Sequence, residues 1–170
     1  MKTMRSIVIM GVAGCGKSSL GAVVAQSIGW PLVEGDDHHS DSNRRKMQSG
    51  VPLTDADREG WLTTLCEQLR AHPNGVVLTC SALKQAYRDR LRKADSSVLF
   101  VFMDIQREQA LIRVAARAHA HIFPTVLVDS QFTTLESPVG EPGVLRVDAT
   151  ATMTQLQAEV TTWLAHKEPA

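Results

Sequence analysis

Residues Gly11-Val12-Ala13-Gly14-Cys15-Gly16-Lys17-Ser18 constrain this chain more than any other stretch. They have the form G-x-x-x-x-G-K-[ST]. They follow the apolar run Ile7-Val8-Ile9-Met10 and precede a helix-like run from Ser18 to Ile28. A strand, a glycine-rich turn and a helix in that order make a phosphate-binding loop. The glycines let the backbone curl so that its N–H groups point inward, and the helix adds its positive N-terminal end. Lys17 supplies a point charge near the β/γ-phosphates of a nucleotide, and the Ser18 hydroxyl suits Mg²⁺. Each position from Gly11 to Ser18 is therefore a candidate nucleotide contact.

The rest of the chain continues the strand and helix alternation. Strands are predicted at Ser6 to Met10, Pro31 to Glu34, Val76 to Cys80, Val98 to Met103 and Val144 to Asp148. Their uninterrupted apolar runs suit a parallel sheet buried on both faces. Helices are predicted at Ser18 to Ile28 with Gly29 as the stop, within Ser40 to Gly50, and from Thr54 or Asp55 as N-cap through Leu69. Further helices are predicted at Leu83 to Lys93 with a basic outer face, Arg107 to about Ala118, Thr125 to Leu135, and over the last amphipathic stretch carrying Met153, Leu156, Val160, Trp163 and Leu164. This order predicts an α/β fold, a three-layer P-loop architecture around about five parallel strands. A ligand should bind outside the carboxyl ends of the strands, where the loop, Asp36, Cys80-Ser81 and Asp104 fall. Trp61 and Trp163 lie in apolar helical stripes and read as core.

A length of 170 residues suits one domain, 1–170. Zero formal net charge gives no support to a nucleic-acid or membrane-surface partner. The first residues hold too short an apolar run for a signal peptide or a membrane span. Cys15, Cys66 and Cys80 form no C-x-x-C pair and read as reduced thiols, so a cytoplasmic location is expected. The histidine pairs His38/His39 and His119/His121 lack neighbouring ligands of the usual metal sets, and non-metal roles are expected for them.

The loop alone does not separate a kinase from an ATPase or a switch. Asp104 closes a strand of Walker-B type, yet no acidic residue follows it to activate water, and no N-K-x-D sequence is present. A strand-end capping role for Asp104 is the preferred reading. Three features favour a small-molecule kinase. Asp36 at a strand end is placed to orient an acceptor hydroxyl and take its proton. The segment from Asp36 to Asp57 forms a short substrate-binding flap. Arg113, Arg117, His119 and His121 precede a Phe-Pro turn and mark a lid, roughly 113–130, that closes over the phosphates.

Several segments then carry a resemblance to one family. They are Gly35-Asp36 with His39; Asn43 with Lys46-Met47; Gly50 with Pro52-Leu53; Asp55, Asp57-Arg58 and Trp61-Leu62; Cys80-Ser81-Ala82-Leu83-Lys84 with Tyr87-Arg88-Asp89; and Ser130-Gln131-Phe132 with Leu135-Glu136. Together with the loop, they resemble the P-loop gluconate kinases, which are similar in fold to shikimate and nucleotide kinases. The resemblance implies ATP-dependent phosphorylation of D-gluconate at the 6-hydroxyl, with Mg²⁺, in a homodimer. Gluconate is an anionic polyol. Arg58, Lys84 and Arg88 are candidate cations for it, with Arg58 and Arg88 preferred for its carboxylate. Asp36, His39 and Ser81 are candidates for its hydroxyls. Lys17, Asp36 and Arg117 are the candidate catalytic residues. Two positions depart from the family pattern: Arg117 is displaced by one residue relative to His121, with Ala120 in place of a glycine, and Cys15 replaces a glycine or serine. The alternatives are a kinase for another sugar acid or polyol such as shikimate, and an ATP-binding regulatory module.

Overall fold

The computed structural model describes residues 5–117 and 124–167. In chain order its elements are β1 (Ile7–Met10), α1 (Lys17–Ile28), β2 (Leu32–Glu34), a 3-10 turn (Gly35–His38), α2 (Asp41–Gln48) and α3 (Asp55–Ala71). Then come β3 (Val77–Thr79), α4 (Gln85–Ala94), β4 (Leu99–Asp104), α5 (Arg107–Ala116), α6 (Val126–Thr134), β5 (Val144–Asp148) and α7 (Met153–Lys167). All pairings are parallel, in the order β2-β3-β1-β4-β5.

The alternation of side chains along a strand splits the core into two layers. On β1, Ile7 and Ile9 face one cluster, while Val8 and Met10 face the other. On β4, Val101 and Met103 join the first, and Phe100 and Phe102 the second. The first layer receives Leu20 and Val24 of α1 with Leu156 and Val160 of α7. The second receives Trp61, Leu62, Leu65 and Leu69 of α3 with Tyr87 and Leu91 of α4. The expected three-layer α/β fold of five parallel strands is thus present. The chain leaves β1 toward β3 and β2 on one side and reaches β4 and β5 on the other. β1 is therefore the switch point, and the loop that follows it opens into the crevice where α/β sheets bind ligands.

Local signals also set the helix ends. Gly29 closes α1 in the left-handed conformation, with φ 73°. Thr54 caps α3 in a reciprocal box: its side chain accepts from Asp57 N, and the Asp57 carboxylate accepts from Thr54 N. The Asp57 carboxylate also receives Lys46 of α2 at 2.8 Å. That hydrogen bond, with the Thr54 backbone bond next, holds its pKa down to about 2.

Arg88 corrects one expectation. It is not on an outer basic face of α4 but fully buried, on the same side as Tyr87 and Leu91. Its Nε and Nη2 donate to the Glu141 carboxylate at 3.0 and 2.6 Å, Nη1 to Ala82 O at 2.8 Å, and Nη2 to Glu136 O at 2.9 Å. A guanidinium so engaged is not available to a substrate carboxylate. It ties α4 to the chain after α6 and holds the turn after β3, where Ala82 has a strained φ of 46°. Removing one member of a buried pair leaves the other uncompensated. Arg88→Met should therefore lower unfolding free energy by about 3 kcal/mol in urea titrations.

Candidate functional site

The phosphate loop needs backbone conformations that side chains resist. Gly11, Gly14 and Gly16 have φ of 147°, 82° and 99°. A Cβ on Gly14 would also stand 2.8 Å from Ala110 O on α5. Carbonyls of the loop are engaged by cations. Lys17 Nζ donates to Gly11 O at 3.0 Å and Val12 O at 3.1 Å. Arg113 Nη1 donates to Gly14 O and Cys15 O at 3.3 and 3.2 Å, and its Nη2 to Ala149 O at 2.9 Å. Gly11, Val12 and Cys15 form the buried underside of the loop, whereas Ala13, Gly14, Gly16, Lys17 and Ser18 line a cavity of about 870 Å³.

The opposite wall starts at the end of β2. Gly35 must be glycine because a Cβ there would lie 2.2 Å from Thr79 O. This close approach carries the chain into the 3-10 turn, on which Asp36 is 80% exposed. Arg44 of α2 holds that turn, donating to His39 O at 3.2 Å and Asp37 O at 2.7 Å. His39 stacks on Trp61, with centroids 4.3 Å apart and planes 13° from parallel. Trp61 Nε1 in turn donates to Gly35 O at 2.8 Å. Burial lowers the His39 pKa to about 4; Asp36, at 3.9 Å, opposes the shift, and Arg44 and Arg58 add to it. His39 is thus a neutral imidazole at pH 7, and its Nδ1 has no protein partner among the described residues.

Arg58 reaches the same cavity from α3. Its Nη1 donates to Tyr87 Oη at 3.2 Å, and its guanidinium lies 5.6 Å from the ring centroid. Tyr87 Oη donates to Asp55, which also receives Lys84 Nζ at 3.0 Å. The hydrogen bonds from Tyr87 and Lys84 draw the Asp55 pKa down.

The structure therefore brings together most of the residues singled out in the sequence: Lys17, Ser18, Asp36, His39, Arg58, Ser81 and Arg117 all line the one cavity. Two do not line it. Arg88 is buried in its ion pair, and Lys84 stands behind Arg58, bound to Asp55. Asp104 pairs with Arg146 at 2.8 Å on neighbouring β5, rather than capping a turn with its side chain. Of the expected lid, Arg113 clasps the phosphate loop and Arg117 ends α5 at the cavity; His119, Ala120 and His121 lie outside the described residues. Trp61 is core, as expected, and also part of the cavity wall.

Two residues of the site were given no role in it from the sequence, Glu34 as a strand residue and Gln131 as part of the Ser130-Gln131-Phe132 segment. Glu34, the last residue of β2, accepts from Ser18 Oγ at 3.0 Å and from Thr79 Oγ1 at 2.5 Å. Its signal was a carboxylate at a strand end, two residues before Asp36. Gln131 of α6 accepts the Ala13 N–H at 2.7 Å. Its signal was a polar residue within an apolar helical stripe. Among the described residues, no group of three or more His, Cys, Asp and Glu side chains converges as a metal cage. The Ser18 and Glu34 oxygens are the hard ligand type that Mg²⁺ takes when phosphates complete its shell.

The depressed His39 pKa has a sign. The unfolded chain protonates this histidine near 6.5 and the folded chain near 4, so folded-state stability is full above 6.5 and is lost as pH falls toward 4. Wild type should lose about 3 kcal/mol more than His39→Gln over that window in denaturant titrations at stepped pH.

Comparisons with known proteins agree with this fold. A family model described as an AAA domain matches residues 7–142. The gluconokinase of Gluconobacter oxydans (strain 621H) is 43% identical over 148 residues, spanning 84% of this chain and 82% of that protein. The crystal structure of a gluconokinase from Sinorhizobium meliloti 1021 superposes with a TM-score of 0.88 at 40% identity, covering 98% of this chain and 94% of that one. The APS kinase CysC of Mycobacterium tuberculosis, at 20% identity and a TM-score of 0.70, shares the fold. With this similarity along nearly its whole length, the chain belongs to the gluconokinase family of P-loop kinases.

Proposed function

We propose that this protein transfers the γ-phosphoryl group of ATP to the 6-hydroxyl of D-gluconate, giving 6-phospho-D-gluconate and ADP. One observation carries the reading: a single cavity has the phosphate loop on one wall and Asp36, His39 and Arg58 on the other. A nucleotide's terminal phosphate and an anionic polyol fit those walls respectively.

The residues divide the work. The inward amides of Gly14 to Ser18 hold the β- and γ-phosphates, and Lys17 leaves its carbonyls to meet them. The Asp36 carboxylate orients O6 of gluconate and accepts its proton as the O6–P bond forms and the bond from γ-phosphorus to the bridging oxygen breaks. ADP leaves with that bridging oxygen. Arg58, set by Tyr87 and Asp55, binds the substrate carboxylate, while neutral His39 and Ser81 hydrogen-bond its hydroxyls. Lys84 acts through Asp55 to steady Arg58. Arg117 meets the charge spread over the transferring phosphoryl oxygens. Ser18, backed by Glu34, would hold Mg²⁺, which when bound neutralises charge on the β- and γ-phosphates. The free thiols Cys15, Cys66 and Cys80 suit a reducing cytoplasm. No helix among the described residues is long and apolar enough to cross a membrane. A homodimer is the proposed assembly.

The test is ADP formation from ATP and Mg²⁺ with D-gluconate, shikimate and other sugar acids side by side. D-Gluconate should give the highest kcat/KM. ATP binding without stimulation by any acid would overturn the assignment in favour of a regulatory module. Asp36→Asn should lower kcat about 100-fold or more while leaving the KM for ATP nearly unchanged, as expected for a lost general base. A near-normal kcat would remove Asp36 from that role.

A further inference from the structure

Gln131 is a polar residue on an apolar helix face. On α6, Leu127 and Val128 are buried, and Phe132 and Leu135 pack against the core at the same helical spacing. Gln131 shares their side of the helix but lines the cavity, with Oε1 accepting Ala13 N–H at 2.7 Å. The two residues are 118 positions apart in the chain. Ala13 follows Val12, whose carbonyl accepts Lys17 Nζ at 3.1 Å. In a loop of this kind the lysine serves the β/γ-phosphates, so the Ala13 amide stands at the terminal-phosphate end of the site.

A carboxamide has one branch that accepts and one that donates. The backbone donor of Ala13 requires the oxygen branch, which assigns Nε2 to the other side. Nε2 then holds two N–H donors without a protein partner among the described residues. They belong to a side chain already anchored at the end of the loop where the transferred group must sit.

We propose that Gln131 is a γ-phosphate contact, holding Ala13 through Oε1 and donating from Nε2 to the terminal phosphate of bound ATP. A neutral donor held in place in this way meets the charge on the phosphoryl oxygens with little reorganisation. It also links α6 directly to the nucleotide when a triphosphate is bound but not when a diphosphate is, while the Oε1 bond to Ala13 holds α6 to the loop in either case. The inference rests on the ATP site proposed above.

Gln131→Glu and Gln131→Ala separate the two halves of the side chain. Glutamate keeps an acceptor for Ala13 N–H but loses both donors and adds negative charge; alanine loses everything. Binding of ADP and of a non-hydrolysable ATP analogue, each with Mg²⁺, is measured by calorimetry on the full chain, alongside kcat with D-gluconate. Both variants should bind ADP within a few-fold of wild type. The analogue should bind roughly tenfold or more weakly in Gln131→Glu, at least as weakly as in Gln131→Ala, as for a lost charge-assisted hydrogen bond. The kcat should fall in the same order. If Gln131→Glu matches wild type while Gln131→Ala is impaired, the residue only tethers the loop and the proposal is wrong. Equal losses for ADP and the analogue also overturn it. A wild-type chain that binds neither nucleotide would instead defeat the ATP-site reading on which the proposal stands.

Discussion

A backbone loop can aim its amides at a phosphate only if its carbonyls are held elsewhere. Here Arg113 takes the carbonyls of Gly14 and Cys15, and Lys17 takes those of Gly11 and Val12. Gly11 N donates to Ser81 O across the neighbouring turn at 3.3 Å. The loop is therefore pinned to α5, to the turn after β3, to α6 through Gln131, and to the loop after β5 through the second arm of Arg113. Left-handed glycines make such a shape accessible, and the surrounding cations and donors make it the favoured one.

The second wall depends on a different kind of constraint, close packing without a side chain. Gly35 lets β2 end against Thr79 O, and Trp61 locks that position by donating to Gly35 O. The same indole supports the His39 ring, whose burial keeps it neutral. Arg44 absorbs the carbonyls of the 3-10 turn and leaves the Asp36 side chain exposed to the cavity. Preorganised groups of this kind cost little to arrange at the moment of transfer, which is the main demand phosphoryl transfer makes on a protein.

Much of this was legible because the signals are local. The strand ends, the Gly29 stop and the Thr54 cap follow from neighbouring residues alone. Asp36 was legible from its place at a strand end, which a parallel sheet turns toward the ligand crevice. Arg88 was misread because it sits among charged residues on α4. Its spacing from Tyr87 and Leu91 placed it on the buried face, but the carboxylate that makes such burial tolerable is Glu141, 53 positions away. Glu34 was passed over for its neighbour Asp36, and only the position of Ser18 opposite it shows why a carboxylate ends that strand.

The sequence by itself determined the element order, the phosphate loop and the family, since short-range periodicity, capping and motif spacing are properties of contiguous residues. Tertiary structure decided the strand order β2-β3-β1-β4-β5, which places β1 at the switch point. It also decided which cations face the cavity and which are consumed in ion pairs, separating Arg58 from Arg88 and Lys84. It joined Gln131 to Ala13. The physical reason is the same in each case: the fate of a long polar side chain is set by the partner it meets, and these partners are brought together by the packing of the sheet and its helices rather than by proximity along the chain.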